Sequence, residues 1–205
     1  TENIGDIIRF AIENLPAVRG VHFQPVSYFG RYPQAPLDWE RITLPEVMAK
    51  IVEQMEGEIP IDAFKPQLTG NPLCSFHGSF VYMDDKSIQS IGSTGKSCEC
   101  QDGEEGIIKA REFIANKWTI EEKPSCCSSV STSYDLSSWD EYIDRIRKYS
   151  FSISGMAFQD VWNLDLDRLN ECKIHIMHPD KKVIPFCAYN MTDSLGRPLY
   201  RGKRY

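Results

Sequence analysis

Residues 3–26 read NIGDIIRFAIENLPAVRGVHFQPV. Ile4, Ile7, Ile8, Ala11 and Leu15 recur at the i, i+3, i+4, i+7 spacing of one helical face, so residues 3–15 predict an amphipathic helix. Pro16 stops it, because proline removes a helical N–H and clashes with the preceding turn. Residues 18–26 predict a strand in which Val21 and Phe23 flank His22, and Pro25 marks its end, since proline cannot donate to a central ladder. A helix that leads within a few residues into a buried strand is the repeating unit of a parallel α/β sheet, and a parallel strand needs neighbours on both sides. No second such unit is evident along the chain. Residues 1–30 therefore read as the last α/β unit of a barrel whose remainder lies upstream, and residues 31–205 as a second domain.

Residues 28–39 carry Gly30, Pro33 and Pro36 among aromatics and read as the linker out of that unit. Thr43 with Glu46 makes a capping box, Pro45 sits in the first turn, and Leu44, Val47, Met48, Ile51 and Met55 line one face of a helix that Gly57 ends. That Met and Ile stripe reads as core. Residues 75–83 alternate through Phe76, Gly78, Phe80 and Tyr82 as a strand, and residues 87–91 pair with it across Asp84-Asp85-Lys86. Asp102 caps a helix with a buried stripe of Ile107, Ala110, Phe113, Ile114 and Trp118. Ser138 with Glu141 caps a helix to Tyr149, and Phe151 and Ile153 open a strand toward Gly155. Asp165 caps a short helix holding Leu166 and Leu169. Two strands, around 172–177 and 183–188, form a closing hairpin. The expected fold class is α+β: a terminal helix–strand remnant of a parallel α/β barrel, followed by a mixed α+β domain with antiparallel hairpins.

The chain has 205 residues and is 41% apolar, enough for one sizeable core. A formal charge of −6 leaves no basic footprint for a phosphate backbone, and the cationic run Arg201, Lys203, Arg204 is confined to the tail. Nucleic acid is excluded as the expected partner. No apolar run has the length that spans a bilayer, and TENIGDIIRF at residues 1–10 lacks the charges and period of a secretory signal. The expected compartment is the cytoplasm. Seven cysteines are an odd count in a chain too large to need disulfide staples, and the cytosol would keep them reduced. One buried cysteine is a small core hydrophobe. Seven, several of them in loop-like sequence, exceed what packing asks for.

A ferrous or zinc centre needs several thiolates converging within bonding distance, usually supplied as close pairs from separate loops. The close pairs here are Cys98 with Cys100, in residues 92–103, and Cys126 with Cys127, in the Ser-rich residues 119–137. Neither has CxxC spacing, but neighbouring thiolates can bind different iron atoms of one cluster. Both loops are too poor in apolar residues to fold onto a core unaided, and residues 119–137, longer than most connections inside compact domains, read as either disordered or held by something such as a metal. Cys172 and Cys187 bracket the closing hairpin. With Pro179 and Asp180 as the central turn residues and Lys181 at the bulge, Ile176 faces Ile184, Ile174 faces Phe186 and Cys172 faces Ala188. Cys187 is then diagonal to Cys172 on an adjacent antiparallel strand, and a shared metal requires the strands to bend or end near the thiols.

The closing stretch FSISGMAFQDVWNLDLDRLNECKIHIMHPDKKVIPFCAYNMTDSLGRPLYRGKRY, residues 151–205, is dense in residues that packing does not require. Together with NPLCSFHGSF at 71–80 and GVHFQPVSYFGR at 20–31, it resembles the C-terminal part of a group of radical S-adenosylmethionine proteins that includes tetraether lipid synthase and bacterial relatives. The three segments span nearly the whole chain. No CxxxCxxC occurs among Cys74, Cys98, Cys100, Cys126, Cys127, Cys172 and Cys187, so this chain alone is expected to be inactive toward S-adenosylmethionine.

The resemblance implies that residues 1–30 are the last unit of a radical S-adenosylmethionine barrel and residues 31–205 an auxiliary cysteine-rich domain. It implies a partner in the upstream barrel and a small-molecule or lipid substrate. It also implies two cofactors: S-adenosylmethionine in the intact protein, cleaved there to a radical that abstracts hydrogen from an unactivated carbon, and an auxiliary iron–sulfur cluster. Cysteines in the positions of Cys74, Cys172 and Cys187 look like that cluster's ligands. Relatives often read CC before the IH of the hairpin, where this chain has Cys172-Lys173, and often carry a further cysteine just before the NPLC-like motif, where it has Leu68-Thr69-Gly70. The loop cysteines Cys98, Cys100, Cys126 and Cys127 are the candidates to replace them. A non-catalytic zinc-binding or partner-docking domain is the alternative reading.

Gln24 follows the predicted barrel strand at its C-terminal end, where barrel enzymes keep their active sites, and so is placed to face S-adenosylmethionine or substrate. His77, His175 and His178 read as hydrogen-bonded packing residues, His77 being the best placed to join a metal because it lies three positions from Cys74. Asp160, Asp165 and Asp167 form an acidic cluster in sequence. Helix capping by Asp165 and a first-turn charge from Asp167 account for two of them.

Overall fold

The computed structural model describes residues 1–29, 34–66, 71–91, 108, 111 and 137–202. Helix α1, Ile4–Glu13, buries Ile4, Ile8 and Ala11 and turns Ile7 outward. It crosses helix α2, Leu44–Gln54, at Gly5, where an added Cβ would lie 2.8 Å from Gln54 Cβ and 2.9 Å from its carbonyl oxygen. Glycine is what allows the two helices to touch backbone to backbone. The Gly5 N–H is also satisfied there by Gln54 Oε1 at 2.8 Å. Helix α2 has the capping box its sequence predicts: the Thr43 N–H donates to Glu46 Oε2 at 2.7 Å, and the Glu46 N–H donates back to Thr43 Oγ1 at 3.4 Å. Such a cap stabilises a helix start by about 1 kcal/mol. Leu44, Val47, Ile51 and Met55 are buried as the stripe predicts.

Five strands form one mixed sheet: β1, Gly20–Phe23; β2, Lys65–Pro66; β3, Ser75–Tyr82; β4, Ile88–Ser90; and β5, Ser150–Met156. β5 lies between β1 and β3, parallel to β1 and antiparallel to β3, while β2 and β4 each pair antiparallel with the other edge of β3. The core lies on one face, where Phe76, Phe80, Phe151 and Ile153 meet Ile4 and Ile8 of α1 and the buried stripe of α2. Phe64 joins edge-on, 5.2 Å from the Phe76 ring and 5.9 Å from the Phe80 ring. Burying an Ile or Phe of this kind contributes roughly 1.5–3 kcal/mol.

The sheet corrects the expectation that α1 and β1 form the sole helix–strand unit. Helix α3, Ser137–Tyr149, runs without a break into β5, and β5 supplies β1 with a parallel neighbour from within the chain. Its sequence, SFSISGM, hides this because serines fill three of its four outward positions. Among the described residues the other edge of β1 has no strand partner, and the strands form no closed barrel. The predicted helix after Asp102 and the loops at 92–103 and 119–137 fall outside the described residues, apart from Ile108 and Arg111 in helical conformation.

After β5 the chain forms a short helix α4, Leu166–Asn170, then the hairpin β6, His175–Met177, and β7, Val183–Pro185, and finally a short helix α5, Phe186–Tyr189. The hairpin has the predicted turn. Lys181 N–H donates to His178 O at 2.9 Å, His178 N–H donates to Lys182 O at 2.8 Å, and Lys181 takes the left-handed φ of 66°. Ile176 faces Ile184, and Phe186 N–H donates to Ile174 O at 2.8 Å, as the register requires. The strands are shorter than expected. Cys172 precedes β6 and Cys187 lies in α5, so the two are not on adjacent antiparallel strands as expected, because the chain coils into a helical turn directly after Pro185.

Candidate metal centre

The exits of β1 and β5 and the start of β3 share one end of the sheet, as their pairing fixes: Phe23 is in register with Gly155, and Met156 with Ser75. Cys74 sits immediately before β3. Asn71 builds its turn, accepting the Cys74 N–H at its carbonyl at 3.0 Å and the Leu73 N–H at its side-chain oxygen at 3.0 Å. The Asn71 amide then donates to Glu171 at 2.7 Å, which ties the Cys74 turn to the residue preceding Cys172. The Cys74 carbonyl accepts from Ala157 N–H at 3.0 Å, locking the turn to the exit of β5.

Cys172 closes α4, its N–H reaching Leu169 O at 3.3 Å and its thiol donating to Ile174 O at 3.1 Å. The helix starts where expected, with Asp165 Oδ1 accepting from the Asp167 and Arg168 N–H groups. Cys187 is buried and accepts the Gln159 N–H at its sulfur at 3.3 Å. Gln159 is itself buried, and its side-chain oxygen accepts the Asp165 N–H at 2.6 Å, so one residue braces both the start of α4 and the Cys187 sulfur.

The three thiols are close enough to act on one another. Burial raises the Cys187 pKa above its ordinary value, the Gln159 N–H opposes that rise, the thiols of Cys172 and Cys74 add to it, and the Arg168 guanidinium opposes it. Arg168 also donates from Nη2 to Cys74 Sγ at 3.4 Å. Loops before β3 and around β6 and β7, far apart in sequence, thus deliver three thiols and two N–H···S donors to one region.

Among the described residues no three His, Cys, Asp or Glu side chains are grouped so as to hold a metal ion. A single tetrahedral ion draws its sulfurs into mutual contact. Iron–sulfur cores are bound by thiolates and tuned by hydrogen bonds to sulfur, and the chemistry of this donor set, three thiols with N–H groups of Gln159 and Arg168 donating to two of them, is of that kind. Cys98, Cys100, Cys126 and Cys127 lie outside the described residues.

The histidines do not join the thiols. His178 is buried under the hairpin turn, with Nδ1 2.6 Å from Asp180 Oδ1 and Nε2 3.3 Å from Tyr200 O. His77 lies within β3, in register with Ser154 and Lys65, and His175 is exposed on β6. Gln24 is exposed just beyond β1, on a cleft of about 320 Å³ that Asn3, Ile7, Phe23, Ile42 and Val47 also line. The cleft and the thiols therefore lie toward the same end of the sheet.

Asp160 and its partners escape sequence reasoning. Its carboxylate is fully buried and accepts Arg41 Nη2 on both oxygens, the Tyr28 N–H at 2.7 Å and the Trp162 N–H at 3.0 Å. With Ser27 Oγ donating to Phe158 O at 3.0 Å, it fastens the exit of β1 to the exit of β5. Only a lone arginine 119 positions away in sequence could have signalled it.

No protein-family model matches the chain. Over 252 residues, covering 98% of the chain, it is 28% identical to the 7,8-dihydro-6-hydroxymethylpterin dimethyltransferase of Methanocaldococcus jannaschii. The chain spans 49% of that relative's length. The relative is a radical S-adenosylmethionine enzyme, so the similarity supports the radical S-adenosylmethionine resemblance without singling out the tetraether lipid synthase group. Among the described residues no helix is long and apolar enough to cross a membrane.

Proposed function

We propose that the chain is the C-terminal part of a radical S-adenosylmethionine enzyme, with residues 1–30 completing an upstream barrel and residues 31–205 forming an auxiliary domain. In this reading Cys74, Cys172 and Cys187 hold an auxiliary iron–sulfur cluster, with further thiolates drawn from Cys98, Cys100, Cys126 and Cys127. The observation that carries it is the approach of Cys74, Cys172 and Cys187, from three separate segments, to the sheet end that also bears Gln24 and its cleft. When bound, the cluster supplies a centre for electron transfer or substrate binding. The chain's own residues hold it: Asn71 shapes the Cys74 turn, Gln159 supports the Cys187 sulfur, and Gln24 faces S-adenosylmethionine or substrate across the cleft.

For the intact protein the relative's name puts methyl transfer to a reduced pterin first among activities to test, and the tetraether resemblance puts a lipid second. The cytoplasm, which keeps thiols reduced, suits either. Anaerobic reconstitution of the 205-residue chain with iron and sulfide, followed by metal analysis and optical spectroscopy, tests the cluster. Iron and sulfide bound in the wild type, and lost from Cys74→Ser, Cys172→Ser and Cys187→Ser variants that remain folded, is the expected result. Uptake of zinc in preference to iron would favour a non-catalytic metal-binding domain.

A further inference from the structure

The arginine in α4 sits where few arginines do. Among the described ion pairs none includes Arg168. Its Nη2 instead donates to Cys74 Sγ at 3.4 Å and to Ala157 O at 3.3 Å, and its Nε is buried with no partner. A half-buried guanidinium ordinarily meets a carboxylate, and one that keeps its charge at every accessible pH must be offset by something. Here it meets the Cys74 sulfur and the Ala157 carbonyl instead.

We infer that Arg168 sets the electron affinity of the thiol centre, holding a fixed positive charge and an N–H···S bond against sulfurs that ligate the cluster. The inference rests on the reading of Cys74, Cys172 and Cys187 as ligands. Each electron added to a thiolate-bound cluster makes it more negative, and both a neighbouring cation and a hydrogen bond to a ligand sulfur stabilise the more negative state. Arg168 therefore raises the midpoint potential, biasing the centre toward accepting electrons. The opposite role is purely mechanical, with the guanidinium serving only to hold α4 to the β5 exit through Ala157 O.

Redox titration separates the two. The reconstituted wild type, Arg168→Lys and Arg168→Gln are compared for iron content, thermal stability and midpoint potential followed optically and by electron paramagnetic resonance. Equal iron, a midpoint close to wild type in the lysine variant and a lower one in the glutamine variant is the expected result. Equal midpoints in all three, with iron bound, overturn the inference while leaving the ligand assignment intact. Absence of iron from the wild type overturns the ligand assignment and this inference with it. Where the glutamine variant also loses iron, the lysine variant decides. Retained iron with a wild-type midpoint supports the charge, and loss of iron there too makes Arg168 a strut and overturns the inference.

Discussion

Arg41 Nη2 lies 2.8 Å from Oδ1 and 2.9 Å from Oδ2 of Asp160, and no solvent reaches that carboxylate. The guanidinium also stacks over the Tyr28 ring at 5.1 Å, so one side chain closes the junction between the exits of β1 and β5. Removing one partner of a buried pair strands the other charge, which costs more than the pair contributes. Arg41→Ala is expected to destabilise the chain by about 3 kcal/mol in urea titration. Asp160→Asn, whose one remaining acceptor oxygen can take either the Tyr28 or the Trp162 N–H, is expected to cost less, because Arg41 keeps some access to solvent. Equal stability of Arg41→Ala and wild type would remove the pair from any structural role.

Gly155 in β5 faces Phe76 in β3, and the ring lies where a Cβ would stand. Gly155→Ala forces the ring to move within the aromatic cluster of Phe64, Phe76 and Phe80, and overpacking of this kind costs about 1–3 kcal/mol. Phe76 is two residues from Cys74, so the shift is transmitted to the thiol turn. A lowered melting temperature together with reduced iron uptake on reconstitution is the expected pair of results. Reduced stability with full iron uptake would show that the turn is buffered from the core.

Lys86 and Lys181 occupy the same position of two like turns, each with a left-handed φ, 68° and 66°. Met83 and Ser87 close the first as His178 and Lys182 close the second. A side chain there costs roughly 1–2 kcal/mol that glycine avoids, less the added flexibility glycine brings to the unfolded chain. Lys86→Gly and Lys181→Gly are each expected to stabilise the protein by about 0.5–1 kcal/mol, additively because the turns are separate. A loss of stability in either variant would mean that the lysine side chain contributes more than its backbone costs.

Local rules made these turns legible. Proline and aspartate at the central positions and matched apolar pairs at the flanks fix the hairpin from sequence alone, as the Thr43 box fixes the start of α2. The pairing of β5 with β1 was not legible, because SFSISGM alternates with serine and its parallel partner lies more than a hundred residues away. The approach of Cys74 to Cys187 depends on that same sheet, since Ala157 N–H binds Cys74 O and Gln159 N–H binds Cys187 Sγ. Resemblance singled out the three cysteines, whereas Ala157 and Gln159, given no role in the sequence reading, bring Cys74 and Cys187 together. Arg168 was invisible for a related reason: nothing in LDRLN distinguishes an arginine aimed at sulfur from one on a solvated helix face.

Acid should loosen the closing hairpin before it unfolds the core. The Asp180 carboxyl is pulled down to about 2, first by the Lys182 side chain and then by His178 and the Lys182 N–H. A carboxylate whose pKa is lower in the folded state stabilises that state above its unfolded pKa, and the contribution disappears as pH falls through the folded value. The window therefore runs from about 4 down to about 2. Glu46, Asp85 and Asp193 are also shifted down, by contacts with Thr43, Ser87 and Arg197, so global stability mixes several groups. A local readout is needed. Amide exchange at Lys181 and Lys182 is expected to accelerate across that window, relative to amides of α2, once the intrinsic pH dependence is removed. In Asp180→Asn the same amides are expected to exchange faster at neutral pH and to show no further acid step. An acid step of unchanged size in that variant would assign the transition to a group other than Asp180.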